Sequence, residues 1–511
     1  MSDSLNKCNF DKSTLDHLLN TAQTAANRMK HLSAAQVERI VTAVAKAAAE
    51  KSEFYAEWAV RETGYGRVES KIAKNQSSSL PFLEGDIGRF TRPQVDTEKK
   101  IVAFPKPAGV IMALVPVTNP VCTVYFKALA ALITRNAVIL SPHPGSKECA
   151  SHALDYLHEV AVAAGAPKGC MQIIRQPAVP LTQALMADER NNLTLATGGP
   201  AMVRAAYSSS NPAIGVGPGN VACYVDRTAD VEMAAEHIAF SKSFDNSLPC
   251  TCESVIIADM PIAAQLKQGL TKNGVYFVER DSERSQLREY MFPGGKMNPE
   301  IIGKDAAVIA QNAGFTVPAG TLVLAFPISA IGRQEPFSKE KLCPVIGFIE
   351  VNGSNEGIQA AQSMLNIMGK GHSAVLHARN PELAVRYGTV LPVCRISVNT
   401  AGILGSSGNT TNLDGSAVIG TGFFGRSSVD RNVGPDYLVQ WTRVAYNKDP
   451  NEVFGDMESA AAKVQAELDC NAESNTDAAP EATTSLSASR ADLKALIREI
   501  LADELREMLK K

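Results

Sequence analysis

The spacing of apolar residues predicts two amphipathic helices near the start of the chain. Between residues 12 and 52, apolar side chains recur every three or four positions, as they do along one face of a helix. Ser33 stands before the second of these runs and is of a type that caps helices. We therefore expect two helices in this segment.

From residue 101 the pattern changes to short apolar runs that alternate with amphipathic segments. The runs predict strands near 110–115, 137–140, 171–174, 193–196, 221–225, 254–258, 321–325, 345–349 and 395–399. Strands that alternate with helices in this way form βαβ units, in which helices cover both faces of a parallel sheet. The sequence therefore predicts an α/β fold. Residues 404–436 are rich in Gly, Ser, Thr and Asn, which indicates loop.

The pattern near the carboxyl terminus predicts a linker followed by a tail helix. We expect the folded body to end near Ala461 and residues 462–488, which become small and polar, to form a flexible linker. Apolar residues then recur every three or four positions through 489–511, which predicts an amphipathic helix. Docking of this helix on another protein is favoured over packing on its own body or oligomer. A membrane surface is less favoured, because the polar face mixes acidic and basic residues.

Composition narrows the class of protein. The 511 residues are enough for two or three domains, and a net charge of −3 gives no electrostatic reason to expect nucleic acid or an anionic membrane as partner. Ten cysteines occur without a Cys-x-x-Cys pair, so we expect neither a metal site nor a disulfide framework. The chain begins without a signal-peptide pattern and contains no apolar run of about 18 residues. A soluble protein of the reducing cytoplasm is expected.

Cys250 is the candidate nucleophile. It ends a polar loop just before a predicted strand, where a thiol can project into a cleft and attack a carbonyl. The alternative is that it is a small buried hydrophobe, as most cysteines are. Cys252 would face the opposite way on an extended chain, so we interpret it as a core residue.

Two further patterns have both a binding and a structural interpretation. Gly198-Gly199 follows a predicted strand and opens a helix, which suits a pyrophosphate but also suits a plain sharp turn. The glycines of 215–219 precede a strand, so they are not the dinucleotide-binding fingerprint. His143 and His372 lie in predicted loops bounded by glycine or proline. Each could contact a phosphate, an adenine or an acyl group, or simply make structural hydrogen bonds.

Several ordered motifs together resemble those of one family. They are Val115-Pro116-Val117-Thr118-Asn119-Pro120, Thr134-Arg135-Asn136-Ala137, Ser141-Pro142-His143-Pro144, Ala196-Thr197-Gly198-Gly199-Pro200, Gly215-Val216-Gly217-Pro218-Gly219-Asn220, Phe244-Asp245-Asn246 with Cys250 and Glu253, Glu335-Pro336-Phe337 with Glu340-Lys341-Leu342, Gly371-His372, and Asn432-Val433-Gly434-Pro435. Over residues 12–450 the chain resembles the CoA-acylating aldehyde dehydrogenases.

The resemblance implies a domain arrangement. It implies a cofactor-binding α/β domain over 1–243 and a catalytic α/β domain over 244–435 whose last part returns toward the first, each with a parallel sheet. It also implies a small oligomerisation flap made of 94–108 and 436–450, in a homodimer or tetramer.

The resemblance also implies roles for individual residues. Cys250 would add to an aldehyde to give a thiohemiacetal, and hydride transfer to NAD(P) would leave a thioester for coenzyme A to collect. The Cys250 backbone N–H and the Asn119 side chain would hold the oxyanion. The residues expected to bind the cofactors are Thr118, Ser141, His143, Thr197, Gly198, Gly199, Gly217, Glu340 and His372.

The choice between coenzyme A and water as acyl acceptor depends on Gly215. Hydrolytic relatives carry a water-activating glutamate at this position, and loss of a general base typically slows a reaction ~10²–10⁴-fold. We therefore expect transfer to coenzyme A, with acetaldehyde or propionaldehyde as substrate. Sulfoacetaldehyde, a hydrolytic enzyme that makes a free acid, and an inactive scaffold remain as alternatives.

The tail resembles the encapsulation peptides that load enzymes into bacterial microcompartments. This second resemblance implies that residues 489–511 bind shell or cargo proteins. It also implies that the enzyme works in the lumen of such a compartment within the cytoplasm.

Overall fold

Strands and helices alternate through most of the computed structural model, which describes residues 10–452 and 455–474. The described strands are β1 (Gln94–Asp96), β2 (Ile101–Pro107), β3 (Val110–Val115), β4 (Ala137–Pro142), β5 (Met171–Ile173), β6 (Leu193–Thr197), β7 (Ala213–Val216), β8 (Val221–Val225), β9 (Glu253–Asp259), β10 (Val275–Phe277), β11 (Val323–Pro327), β12 (Val345–Val351), β13 (Gly371–His377), β14 (Val393–Val398) and β15 (Val439–Ala445). The described helices are α1 (Lys12–Met29), α2 (Ala34–Glu50), α3 (Ser52–Thr63), α4 (Val68–Ser77), α5 (Pro120–Ile133), α6 (Lys147–Ala163), α7 (Val179–Ala187), α8 (Pro200–Tyr207), α9 (Val231–Ser243), α10 (Met260–Lys272), α11 (Asp281–Met291), α12 (Ala306–Ala313), α13 (Ser354–Ile367), α14 (Pro381–Val390), α15 (Gly402–Ser406) and α16 (Met457–Ser474).

The two helices predicted near the start of the chain are confirmed as α1 and α2. Ser33 caps α2 in a reciprocal capping box, in which the Gln36 N–H donates to Ser33 Oγ (3.2 Å) and the Ser33 N–H donates to Gln36 Oε1 (2.8 Å). Their apolar faces pack into one core with the first sheet. The apolar periodicity therefore correctly predicted both the helices and the faces that they bury.

The first sheet has five parallel strands in the order β5-β4-β3-β6-β7. All residues of β3 and β4 are buried, as expected for strands covered by helices on both faces. The chain order reverses between β3 and β6, and ligands of such sheets bind where the strands end at the reversal. The predicted α/β fold with parallel sheets is confirmed.

The second sheet has seven parallel strands in the order β10-β11-β12-β9-β8-β13-β14. Its core joins apolar residues of β8 and β9 to those of α9, including Cys223, Ile256 and Ala234. Residues 221–243 therefore belong with this sheet, and the predicted domain boundary at 243/244 is wrong. The chain passes from the first sheet to the second between β7 and β8, because β8 completes the second core rather than the first.

A separate antiparallel sheet, in the order β1-β2-β15, contains the two segments predicted as an oligomerisation flap. Most residues of β15 are exposed. The role of this sheet in assembly stays a prediction.

The end of the described chain differs from the predicted linker. Helix α16 spans Met457–Ser474, so the linker predicted for 462–488 is wrong over 462–474. Ala, Lys, Gln, Glu and Leu dominate this stretch, and all are strong helix formers. The rest of the predicted linker and the tail helix of 489–511 lie outside the described residues. Within the described ranges, no helix has both the length and the apolarity to cross a bilayer.

Candidate active site

Cys250 lies between a 3-10 turn (Phe244–Ser247) and β9, near the middle of the second sheet. Its side chain is partly exposed, whereas Cys252 is only 5% exposed and packs in a small core with Phe244 and Ile403. The structure therefore separates the two cysteines as the sequence predicts, with one sulfur at a cleft and the other in the core.

The turn before Cys250 has an unusual backbone. Asp245, Asn246 and Ser247 have φ angles of +47°, +52° and +60°, and all three are buried. This left-handed region costs an ordinary residue roughly 1–2 kcal/mol. Three such residues in a row persist only when their surroundings hold them there.

Buried polar contacts hold this turn. The Asp245 carboxylate accepts hydrogen bonds from Lys71 Nζ (3.2 Å), from Lys74 Nζ and from the Arg67 backbone N–H (2.8 Å). A Cβ at Gly66 would lie 2.0 Å from Asp245 Oδ1, so only glycine fits there. The sequence interpretation missed these α4 residues, because an exposed-looking helical lysine gives no sign that it faces a distant carboxylate.

His372 is placed differently from the prediction. It is fully buried in β13, not in a loop, and its Nε2 lies 3.0 Å from Cys250 Sγ. Its Nδ1 lies 2.9 Å from Ser373 Oγ, and Arg395 Nη1 donates to its carbonyl oxygen (2.8 Å). Gly369 and Gly371 suggested a loop, although they only bring the chain into the strand. The residue predicted to bind a cofactor therefore contacts the nucleophile itself.

Burial keeps the Cys250–His372 pair neutral. It raises the pKa of the Cys250 thiol to about 12, and the negative charge of Glu340 raises it further. Burial also lowers the pKa of His372 to about 3, with help from the positive charge of Arg395. When Nδ1 carries the hydrogen and donates to Ser373 Oγ, Nε2 is free to accept the thiol hydrogen.

Glu340 is the carboxylate that faces this pair. An added Cβ at Gly219 would lie 2.1 Å from the Cys250 carbonyl oxygen and 3.3 Å from Glu340 Oε1, which places both beside Gly219. Burial raises the pKa of Glu340 to about 7, against the opposing effect of Lys242. A carboxylate therefore lies near the thiol, on a residue for which the family resemblance implies cofactor binding. Sequence spacing could not show this, because β9 and the Glu340 loop are far apart in the chain.

Gly215 has no room for a side chain. A Cβ there would lie 2.5 Å from Val203 Cγ1 and 2.6 Å from the Tyr207 ring. Tyr207 Oη also accepts a hydrogen bond from the Gly215 N–H and donates one to Ser427 Oγ (3.1 Å). The position at which hydrolytic relatives carry a glutamate is closed by an aromatic ring.

Asn119 stands at the start of α5 and shares a cavity wall with Cys250. Its Oδ1 accepts a hydrogen bond from Lys74 Nζ (2.7 Å), and its Nδ2 donates to Thr118 Oγ1 (3.1 Å). These contacts fix the orientation of the amide, and the second hydrogen on Nδ2 is not used by either. Because Asn119 lines the cavity, this hydrogen is left for a ligand there.

Most of the residues predicted to bind a cofactor lie at one edge of the first sheet. Thr118 follows β3, Ser141 is the penultimate residue of β4, Thr197 ends β6 and Gly217 follows β7. Gly198 and Gly199 lead into α8, whose first N–H groups have no acceptors within the helix. An added Cβ at Gly217 would make ordinary van der Waals contact with Thr421 and Gly425, the nearest atom being Thr421 Oγ1 at 3.7 Å.

Two residues at this edge have structural partners. The buried Lys127 Nζ donates to Thr197 Oγ1 (3.1 Å) and Leu114 O (2.6 Å), which ties the ends of β3 and β6 together. His143 is exposed and its Nδ1 accepts a hydrogen bond from the Gly145 N–H (3.1 Å). The contact that the structure shows for His143 is therefore a local hydrogen bond within its own loop, while cofactor binding by His143 stays a prediction.

A cavity of about 430 Å³ opens on one side of Cys250. Aromatic and aliphatic side chains form much of its wall, with a few charged and polar groups, and its main lining residues are Lys74, Phe82, Asp86, Arg89, Phe90, Asn119, Phe126, Phe244, Ile403, Leu404, Ser407 and Ile419. Lys74 and Arg89 are paired with Asp245 and Asp436. His372 and Glu340 do not line this cavity, so they reach Cys250 from another side.

Glu253 fixes part of the cavity wall. Its buried Oε1 accepts a hydrogen bond from the Gly402 N–H (2.8 Å) at the start of α15, and Ser241 Oγ accepts one from the Ile403 N–H (3.2 Å). Burial raises the pKa of Glu253 to about 7. The sequence interpretation quoted Glu253 in a motif but gave it no role, because only the fold brings Gly402 against β9.

Comparison with known proteins places these features in context. The family model described as "Aldehyde dehydrogenase family" matches residues 6–275. An aldehyde-alcohol dehydrogenase of Streptococcus pneumoniae is 37% identical over 76% of this chain and 45% of its own length. A succinate-semialdehyde dehydrogenase (acetylating) of Clostridium kluyveri is 33% identical over 85% of this chain and 96% of its own. The chain thus spans about half the length of the curated aldehyde-alcohol dehydrogenases that it matches.

Solved structures show the same similarity. An acetylating aldehyde dehydrogenase from Geobacillus thermoglucosidasius superposes with a TM-score of 0.83 at 33% identity, over 86% of this chain and 98% of that one. A propionaldehyde dehydrogenase from a Clostridium phytofermentans microcompartment gives 0.78 at 26%, over 84% and 97%. A Rhodopseudomonas palustris propionaldehyde dehydrogenase solved with CoA and an acylated cysteine gives 0.77 at 25%, again over 84% and 97%.

Proposed function

We propose that this chain, which belongs to the aldehyde dehydrogenase family, oxidises a short aldehyde at Cys250 and transfers the acyl group to coenzyme A. The observation that carries the proposal is the 3.0 Å contact between Cys250 Sγ and His372 Nε2. The similar Rhodopseudomonas palustris protein, with CoA and an acylated cysteine, supports the same chemistry.

His372 acts as the base in this proposal. It accepts the Cys250 proton as the sulfur attacks the aldehyde carbon, and the contact with Ser373 Oγ fixes the ring for this transfer. After hydride transfer has left a thioester on Cys250, the ring releases this proton to solvent, as the one proton that the overall oxidation produces. The same nitrogen then accepts the proton of the coenzyme A thiol as its sulfur attacks the thioester carbon, and returns it to the Cys250 sulfur when the bond between that carbon and Cys250 breaks.

The negative oxygen that forms on the carbonyl needs donors beside Cys250. The Cys250 backbone N–H lies close enough to its own sulfur to lower the pKa of the thiol, and Asn119 offers its unused amide hydrogen across the cavity. Each such donor is typically worth about 3–4 kcal/mol in the transition state.

NAD or NADP fits the residues between the two sheets. Gly198, Gly199 and the first turn of α8 suit the pyrophosphate, and the partly exposed Glu340 suits ribose hydroxyls. The cofactor, when bound, supplies the hydride acceptor. Glu340 would hold it near Cys250, because Glu340 Oε1 and the Cys250 carbonyl oxygen both lie beside Gly219.

Coenzyme A is favoured over water as the acyl acceptor, because Tyr207 fills the space in which a glutamate at position 215 would have to lie. The alternative is hydrolysis to a free acid, with Glu340 activating the water, since its pKa of about 7 suits a base. A scaffold without activity is the third possibility.

One experiment separates these three functions. Purified full-length enzyme is incubated with NAD and propionaldehyde, with and without coenzyme A, and both propionyl-CoA and propionate are quantified. The proposal predicts that NADH formation depends on coenzyme A and matches propionyl-CoA. Propionate formed without coenzyme A would establish hydrolysis instead. Undiminished NADH formation by Cys250→Ala would remove the thiol mechanism.

The cavity favours small uncharged aldehydes such as acetaldehyde and propionaldehyde. Its wall is rich in aromatic rings, and its two cations are already paired with Asp245 and Asp436. An anionic substrate such as sulfoacetaldehyde would have to share one of those cations with its carboxylate. A panel of aldehydes should therefore give higher kcat/KM for propionaldehyde than for sulfoacetaldehyde, and the reverse order would reassign the substrate.

The tail supports a proposal about location. Residues 489–511 carry an apolar stripe suited to a partner groove, and one similar structure comes from a microcompartment. We place the enzyme in a compartment lumen, in the cytoplasm, with shell or cargo proteins as partners. A chain lacking 489–511 should keep its turnover and fail to copurify with shells; copurification of the truncated chain would refute the targeting role.

A further inference from the structure

Two lysines of helix α4, which no step proposed above uses, share one buried carboxylate beside the active site. Lys71 Nζ lies 3.2 Å from Asp245 Oδ2, and Lys74 Nζ pairs with the same oxygen. In the part of the chain that the structure describes, Asp245 is the only ion-pair partner of either lysine. Burial and the neighbouring Lys74 charge lower the pKa of Lys71 to about 8. The cluster thus combines two cations with one anion, and the cations repel each other.

Lys74 connects this cluster to the active site through Asn119. Its Nζ donates a 2.7 Å hydrogen bond to Asn119 Oδ1, at the opposite end of the amide from the Nδ2 hydrogen that is left for a ligand. A cation bound to an amide oxygen draws electron density toward that oxygen, which makes the amide hydrogens stronger donors. The side chain of Lys74 is only 12% exposed, so solvent screens this effect little.

Helix α4 also bridges the nucleophile turn to the oxyanion donor. Asp245 lies in the left-handed turn that leads to Cys250. Lys71, which pairs with Asp245, also donates to the Thr118 carbonyl oxygen (3.4 Å), one residue before Asn119. The donor begins α5 and the nucleophile precedes β9, so these two groups lie on separate elements. The contacts with α4 therefore help to fix their relative position.

We propose that Lys74 is a positioning residue whose charge acts through the Asn119 amide on the negative oxygen that forms when Cys250 attacks the aldehyde. Lys74 keeps its protons and needs no contact with the aldehyde, and the thiol proton still passes to His372. The buried excess of positive charge favours a new anion within reach of the amide. This inference rests on the proposed function, because the oxyanion is that of the proposed thiohemiacetal.

A double-mutant cycle tests the route through Asn119. We measure kcat/KM for propionaldehyde at saturating NAD and coenzyme A for full-length wild type, Lys74→Met, Asn119→Ala and the double variant. Lys74→Met should lower kcat/KM ~10–100-fold, as expected for loss of a hydrogen bond to a charged group. In the Asn119→Ala background the same substitution should cost less than ~2-fold, because the group through which it acts is already gone. Lys46→Met, at an exposed position on α2, is the matched control and should leave kcat/KM unchanged.

Alkylation of Cys250 separates this role from mere support of the nucleophile turn. Iodoacetamide reacts with a thiol by displacement at a saturated carbon, so no oxyanion forms. Mass spectrometry of the peptide that contains Cys250 should therefore show the wild-type alkylation rate for Lys74→Met, although its kcat/KM falls. Lys71 remains as the counter-ion of Asp245 in this variant and holds the turn.

Other results would overturn the assignment. A loss of alkylation rate equal to the loss of kcat/KM would show that Lys74 only holds the turn, and an undiminished effect of Lys74→Met in the Asn119→Ala background would exclude the route through the amide. An unchanged kcat/KM for Lys74→Met would remove the role altogether. Propionate in place of propionyl-CoA would refute the proposed acceptor and leave the cycle valid, because the same oxyanion forms. Wild-type enzyme that oxidises no aldehyde would refute both.

Discussion

Tyr207 and Gly215 exclude each other's side chains: the tyrosine ring would lie 2.6 Å from a Cβ at position 215, and its hydroxyl oxygen accepts a 2.8 Å hydrogen bond from the glycine N–H. The absence of a glutamate at position 215 is therefore more than a point difference from hydrolytic relatives. Val203 and Tyr207 of helix α8 occupy the space that any side chain at position 215 would need.

This packing predicts that Gly215→Glu will not create a hydrolase. The new side chain would collide with Val203 and Tyr207, and overpacking of this kind typically costs about 1–3 kcal/mol. We expect a lowered Tm and no propionate above the wild-type level in the absence of coenzyme A. Tyr207→Ala combined with Gly215→Glu tests the cause, because it frees the space. Propionate formation by Gly215→Glu alone would show that the Tyr207 ring moves aside to accommodate the glutamate.

His372 should be essential for proton transfer from Cys250, and its ring should stay neutral between pH 5 and 8. His372→Ala should lower CoA-dependent NADH formation ~10²–10⁴-fold, as loss of a general base does. Because the pKa of His372 is lowered to about 3, its protonation should cause no loss of activity between pH 5 and 8. His17→Ala, at an exposed position, is the control. An acidic loss of activity in that range that disappears in His372→Ala would contradict the neutral ring.

Removal of the Asp245 carboxylate should strongly lower the stability of the 3-10 turn Phe244–Ser247 that precedes Cys250. Asp245→Ala would leave Lys71 and Lys74 without their buried counter-ion, and breaking a buried pair in this way typically costs about 3–5 kcal/mol. It would also release three left-handed residues, so Cys250 should lose its position. Thermal unfolding should show a clearly lowered Tm. Asp96→Ala removes the exposed partner of Lys99 and should change stability by less than about 1 kcal/mol.

Glu253 should make stability depend on pH. Its pKa is raised from 4.5 to about 7, so the folded state keeps the proton while the unfolded chain ionises, and stability falls as pH rises from about 4.5 to 7. Glu253→Gln keeps an acceptor for the Gly402 N–H and removes that loss. Its stability relative to wild type should therefore increase between pH 5 and 8, by at most about 3 kcal/mol. Glu189→Gln changes an exposed carboxyl and is the control. A stability difference between Glu253→Gln and wild type that stays constant with pH would refute the raised pKa of Glu253.

The sequence predicted the elements better than their assembly. Apolar periodicity located α1, α2 and most strands of both sheets, because each buries a face that its own residues reveal. The pattern cannot show which sheet a strand joins, which is why β8 was assigned to the wrong domain. Helix α16 was missed for the opposite reason, since a run of small and charged residues resembles a linker until helix propensity is weighed.

The same limit applied to the site. Cys250 was identifiable because its loop and strand are local, and resemblance supplied Asn119 and Glu340. The contact of His372 with Cys250, the pairing of Lys74 with Asp245 and the closure of Gly215 by Tyr207 join residues far apart in the chain. None of these contacts leaves a signal in spacing or composition.

The positions of the aldehyde cavity and His372 on different sides of Cys250 have a kinetic consequence. Two reactants that reach one sulfur atom by separate routes do not compete for the same volume. A surplus of aldehyde should then leave the acceptor thiol free to collect its acyl group, and the thioester product can depart without waiting for the aldehyde side to empty.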